Sequence, residues 1–135
     1  MSEVKAYKIV YRAGDSLVPA APMYVQQNIN YLPRCWVRVP YAWGPDICFR
    51  TLEVALSEWW PWYRTNVFCQ VWEAEIIPWG RQIETTWWIS PEGEKQEHKI
   101  VDFLINKKNV KDVILARSVR LLDRVDSGSG RDWGR

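Results

Sequence analysis

Histidine and cysteine are scarce in this chain, and their spacing leaves little room for metal or nucleophile chemistry. The one histidine, His98, lies in the polar run 94–99, E-K-Q-E-H-K, where a solvated turn residue is expected rather than a ligand or general base. Cys35, Cys48 and Cys69 show no CxxC spacing. An odd set of separated thiols suits a reducing compartment, so no disulfide is expected, and a zinc site would need all three plus His98 to converge from separate segments. No metal site is read from that pattern. The seven glycines form no phosphate-cradling loop of the Walker or dinucleotide type. No run approaches the roughly 18 apolar residues of a membrane span, and the first eight residues lack a continuous apolar segment. The expectation is a cytoplasmic protein without a membrane partner, in the host-cell cytoplasm if the gene is viral.

What the chain has in abundance is tryptophan, ten residues in 135. The length fits one domain, and the apolar fraction of 47% and charged fraction of 25% are those of an ordinary globular chain. A single α+β domain is expected over 1–125, followed by a flexible Gly/Ser-rich tail over 126–135, D-S-G-S-G-R-D-W-G-R.

The chain is organised around residues 47–77, which read as strand, helix, strand. Leu52, Ala55, Leu56 and Trp59 recur at helical spacing, Thr51 sits where an N-cap hydroxyl is wanted, and Pro61 is expected to end the helix. The main helix is thus about 52–60. From Val67 to Ile77 the chain turns β-branched and aromatic, apolar on both faces to Trp72, as in a central strand, and Leu56 and Val71 are expected to share one core.

Around this unit the sequence reads as a mostly antiparallel sheet. Val4–Arg12 is a first strand ended by Gly14-Asp15, Cys35–Val39 a second closed by Pro40, and Gln82–Ser90 a strand that forms a hairpin with 67–77 across Pro78-Trp79-Gly80. Between the first two strands, Met23–Ile29 suits a short helix or an edge strand. Lys99–Ile105 and Asp112–Leu122 read as two further strands joined by a polar turn at Asn106–Asn109. Gln82–Ser90 is bounded on its other side by the turn residues 90–93, S-P-E-G.

Charge is segregated along the chain. Six basic residues from Lys5 to Arg50 oppose Asp15 and Asp46, six from Lys107 to Arg124 oppose Asp112 and Asp123, and seven glutamates from Glu53 to Glu94 oppose only Arg64 and Arg81. Such a pattern suits either ordinary solvated edges or a dipolar surface with a basic side. Glu73 and Glu75 put two carboxylates about 7 Å apart on one strand face, a spacing open to acid/base work or to a half-exposed strand end.

Adjacent tryptophans cannot all point inward. Trp60 lies about 100° round the helix from Trp59, Trp62 follows Pro61 in what is expected to be a loop, and Trp79 sits at an expected hairpin tip. Trp60, Trp62 and Trp79 are therefore candidate binding residues, with Arg64 and Arg81 as basic neighbours; filling both faces of a small sheet is the alternative use for such rings.

The order Y-R-A-G (11–14), F-R-T-L-E-V-A (49–55), long strand, and I-V-D-F-L-I-N (100–106) resembles ADP-ribosyltransferase-type domains and also small uncharacterised phage accessory proteins with a strand, Phe-x-[Ser/Thr]-x-Glu-x-Ala helix and strand core. The transferase resemblance covers about residues 7–122 and implies NAD as cofactor, with Arg12 holding phosphates. Thr51 matches part of the family's Ser-Thr-Ser element, and Asp102 stands where the catalytic glutamate is expected, with Ile100 in place of the first glutamate. Three functions follow: first a non-enzymatic, virus- or phage-encoded binding protein that engages a host protein through its tryptophans and needs no cofactor; second an NAD-using transferase built on Arg12, Thr51 and Asp102; third a single-stranded nucleic-acid binder, for which overall basicity is low.

Overall fold

One residue pair, Tyr7 opposite Phe49, closes a ring of strands. The computed structural model of the chain describes residues 3–20, 29–39, 45–80, 84–89 and 92–126. In it β1 (Val4–Ala13) pairs with β2 (Ser16–Pro19), β4 (Asp46–Phe49) and β5 (Cys69–Pro78). The long last strand, β8 (Val113–Arg124), pairs with β5, with β4 and with β3 (Trp36–Arg38). The path β4, β1, β5, β8 therefore returns to β4, and β2 and β3 pair with other lengths of β1 and β8. All these pairings are antiparallel, and with the helix below the fold is α+β.

The alternation of β1 explains how the ring is filled. Ala6 and Val10 point inward with Ala74, Ile76, Val119 and Leu121, and Ala6 lies directly opposite Ala74. Alanines opposite each other suit a bore too narrow for two large side chains. The outward residues of the same strands, among them Ile9, Phe49, Val71 and Leu115, form a second core under the helix.

That helix, α1 (Leu52–Thr65), starts at Thr51, whose hydroxyl accepts from the Val54 N–H at 3.2 Å. It buries Ala55, Leu56 and Trp59 against the outer face of the ring, and Leu56 and Val71 share that core as their pattern implies. Pro61 does not end it. The proline removes one N–H from the ladder, but buried Trp59 and the Tyr63 ring stacked on it, centroids 4.6 Å apart, hold the helix together across that step. The helix stops at Asn66, whose N–H bonds the Trp62 carbonyl at 2.9 Å, so Trp62 is helical and not in a loop.

Val67 and Phe68 are not part of a covered strand. They are 60% and 54% exposed in a turn, and β5 begins at Cys69. Among the described residues no hairpin joins β5 to the next strand: β6 (Thr85–Ile89) pairs with β7 (Lys95–Lys99) as a separate two-stranded sheet. Trp79 consequently occupies no hairpin tip; its N–H bonds the Leu115 carbonyl at 2.8 Å. Of the run 99–105 only Lys99 is in a strand, as the last residue of β7. Ile100–Phe103 is a 3-10 turn; Ile100 and Leu104 just beyond it are buried while Asp102 between them is exposed, whereas a strand would turn 100, 102 and 104 to one face. A second 3-10 turn, Lys107–Asp112, replaces the simple polar loop. Asp126, at the start of the expected tail, is 4% exposed and accepts from the Val71 N–H at 2.8 Å. The remainder of that tail, most of 23–29, and Pro40, Ile83 and Ser90 lie outside the described residues.

Candidate functional site

The inward position between Ala6 and Val10 on β1 is a lysine. Lys8 is 1% exposed inside the ring, its ammonium 2.7 Å from Asp46 Oδ1 and donating to the Ile47 carbonyl at 2.8 Å. Tyr31, also buried, donates its hydroxyl to Asp46 Oδ2. The sequence signal for this group is faint: a lysine at an even position of an apolar alternation. Enclosure sets its chemistry, since a charge pair with 1% and 0% side-chain exposure meets no substrate from solvent and acts as an internal polar brace.

Burial, then the charge of Asp46, holds the Tyr31 phenol well above its ordinary 10.0. Burial and Asp46 also raise the Cys48 thiol, partly opposed by Lys8. Cys69 is pushed from 9.0 up to about 11 by burial and then by Asp126. Each group keeps its proton in the fold at a pH where the unfolded chain loses it, so stability is complete below pH 9 and falls as pH rises through 9–11. The urea midpoint is expected to decline over that interval, and less in Cys69→Ala; equal slopes for parent and variant would contradict this assignment.

The carboxylates Glu73 and Glu75 are both engaged. Glu73 lies 3.3 Å from Lys5, and Glu75 accepts from Arg120 Nε at 3.0 Å. Because β5 runs between β1 and β8, the acidic middle of the sequence is set between its basic flanks, and charges segregated along the chain are neutralised across the sheet. Glu58 is likewise occupied, accepting from the Ile105 and Asn106 N–H groups at 2.7 and 2.9 Å and from Asn109.

Arg12, Thr51 and Asp102 sit on three different elements. Arg12 is near the end of β1, where its N–H bonds the Phe68 carbonyl at 3.0 Å; Thr51 caps α1; Asp102 is exposed on a 3-10 turn, 3.9 Å from Lys107. Among the described residues no hydrogen bond or ion pair joins the three. His98, exposed on β7, lies 5.8 Å from the Phe103 ring, and no cluster of three or more His, Cys, Asp or Glu is placed to hold a metal among the described residues.

The predicted tryptophans all pack against the core beneath the helix. Trp60 and Trp62 are half-buried on α1 and lean on the core beneath it, Trp60 with its ring 5.8 Å from Tyr63. Arg64 is exposed in the last turn of the same helix. Trp79, half-buried, meets Trp87 edge to face at 6.0 Å, and β5 separates it from the end of α1 by ten residues, roughly 30 Å of strand. Arg81 lies outside the described residues.

Next to Trp62 is the surface that sequence reasoning misses. The turn carrying Val67 and Phe68 is fastened on three sides: Asn66 Oδ1 accepts from the Phe68 N–H at 3.0 Å, the Asn66 carbonyl from Cys69 at 3.0 Å, and the Phe68 carbonyl from Arg12. Asn66 is the signal that marks it, since an asparagine side chain bonding two residues on makes a turn. Elsewhere a cleft of about 560 Å3 lies between the two-stranded sheet and β8, floored by Ile100, Val113 and Leu115 with Glu84 and Lys99 among its lining residues.

No helix of the described residues is long and apolar enough to cross a membrane. Comparison of the chain with protein-family models, curated proteins and solved structures returned no match.

Proposed function

We propose that the chain is a small non-enzymatic binding protein, acting on a host protein if its gene is viral, and that it engages its partner through the aromatic end of α1. The observation that carries this reading is the Val67-Phe68 turn, two adjacent apolar side chains more than half exposed on backbone held by three hydrogen bonds. Holding apolar groups in water on a rigid turn gives no stability to the fold, whereas a pre-ordered anchor binds without a further ordering cost. Half-buried Trp60 and Trp62 supply amphipathic neighbours, and Arg64 and Arg12 supply positive charge beside them.

The readings separate in one set of variants. Phe68→Ser is expected to leave the melting temperature within about 2 °C of the parent, as exposed substitutions do, while reducing capture of the partner at least tenfold, the scale of an interface anchor. A fall in stability with capture unchanged would make Phe68 a structural residue and defeat the proposal. NAD at millimolar concentration is expected to leave the melting temperature unmoved; a saturable rise abolished by Arg12→Ala would favour the transferase alternative instead.

A further inference from the structure

The β3 strand ends the sheet path, and its register decides which backbone groups it leaves free. Val39 donates to the Arg117 carbonyl at 2.9 Å, so that opposed pair is hydrogen-bonded, as by alternation is Val37 with Val119. The pairs between them, Trp36 with Arg120 and Arg38 with Ser118, are the other kind, in which both residues turn their N–H and C=O groups away from each other. For Arg120 and Ser118 that direction leads to β5, where each has a partner, Glu75 and Ile77. For Trp36 and Arg38 it leads to the outer edge, which no strand of the described residues occupies.

The side chains along this edge are basic and aromatic. Trp36 is 37% exposed with the Arg120 guanidinium 4.8 Å from its ring centroid, and Arg120 is satisfied by Glu75. Arg34 pairs with Asp123 at 2.8 Å. Arg38 and Arg117 differ: both are exposed and neither has a carboxylate partner among the described residues. Arg117 is the residue at which β8 slips one position against β5, so it stands at a bulge beside Ser118, opposite the end of β3.

We propose that the outer edge of β3 is a strand-addition site for an extended acidic peptide segment, whose backbone pairs with Trp36 and Arg38 while its carboxylates meet Arg38 and Arg117. Strand addition takes affinity from main-chain hydrogen bonds and selectivity from alternate side chains, and both are available here. Pro33 and Pro40 bracket the edge in sequence, which limits the added segment to a few residues and opposes the open-ended pairing that longer bare edges invite. A peptide is favoured over a nucleic acid because the free groups are alternating backbone donors and acceptors on a line, with two unpaired cations among the described residues beside this edge.

This site is independent of the α1 surface and is tested separately. Amide hydrogen exchange, read by NMR, would be followed while a short blocked peptide of alternating glutamate and valine is added. The Trp36 and Arg38 amides are expected to gain about tenfold protection, with Val37 and Val39 little changed because they already bond β8. The variant Arg38→Glu with Arg117→Glu, whose melting temperature verifies its fold, is expected to lose that response and to respond to the lysine and valine peptide instead. Unaffected Trp36 and Arg38 amides at millimolar peptide would overturn the proposal. So would equal protection by both peptides, a response to oligothymidylate alone, or protection that rises with protein concentration without any peptide.

Discussion

Lys8→Met is expected to destabilise the protein by about 3–5 kcal/mol, because it leaves Asp46 with Tyr31 as its remaining partner inside the ring. Methionine matches the lysine stem closely enough that volume is not the issue. The loss comes from a carboxylate desolvated without its counter-ion. Pairing Lys8→Met with Asp46→Leu removes both charges and is expected to cost less than either change alone, since a well-packed apolar pair in place of a buried ion pair is often neutral. Urea titrations of the parent, the two singles and the double close the cycle. Additive single effects would show that the two groups act separately, contrary to their 2.7 Å contact.

The second large effect is expected at Trp59. Its side chain is 2% exposed, packs between α1 and the outer face of the ring, stacks with Tyr63, and donates its indole N–H to the Cys69 carbonyl at 2.9 Å. Trp59→Ala should cost about 3–5 kcal/mol through the cavity alone. Trp59→Phe keeps most of the ring and loses the donor, leaving the carbonyl that opens β5 unpaired, for about 1–3 kcal/mol. Because Tyr63 stacks beyond Pro61, the alanine variant is also expected to fray the last turn of α1, visible as lost helical circular dichroism ahead of global unfolding. Trp60→Ala, on a half-buried neighbour, should do less of both.

Trp59 and Lys8 also mark what is legible in the amino-acid sequence and what is not. The β4, α1, β5 unit is legible because Leu52, Ala55, Leu56 and Trp59 carry a helical period and Thr51 a capping hydroxyl, both local signals. The length of α1 is not, since whether Pro61 breaks the helix depends on Tyr63 reaching Trp59, a contact that propensity does not contain. The run 99–105 misleads for a related reason: its β-branched composition suggests a strand, whereas exposed Asp102 between buried Ile100 and Leu104 breaks the period of two. Lys8 and Asp46 meet only through the closure of the ring, and no sequence pattern announces a partner on another strand. Val67 and Phe68 show the limit most plainly, since exposed and buried apolar residues look alike in composition and only Asn66 hints at the turn.

Whether the end of α1 meets a partner at Phe68 is tested most directly by site-specific photo-crosslinking in the living cell. A benzophenone amino acid at position 68 is expected to give one discrete adduct with another protein, absent when the same group replaces exposed Lys108 on the second 3-10 turn. No adduct at 68, or the same adducts from both positions, would contradict it.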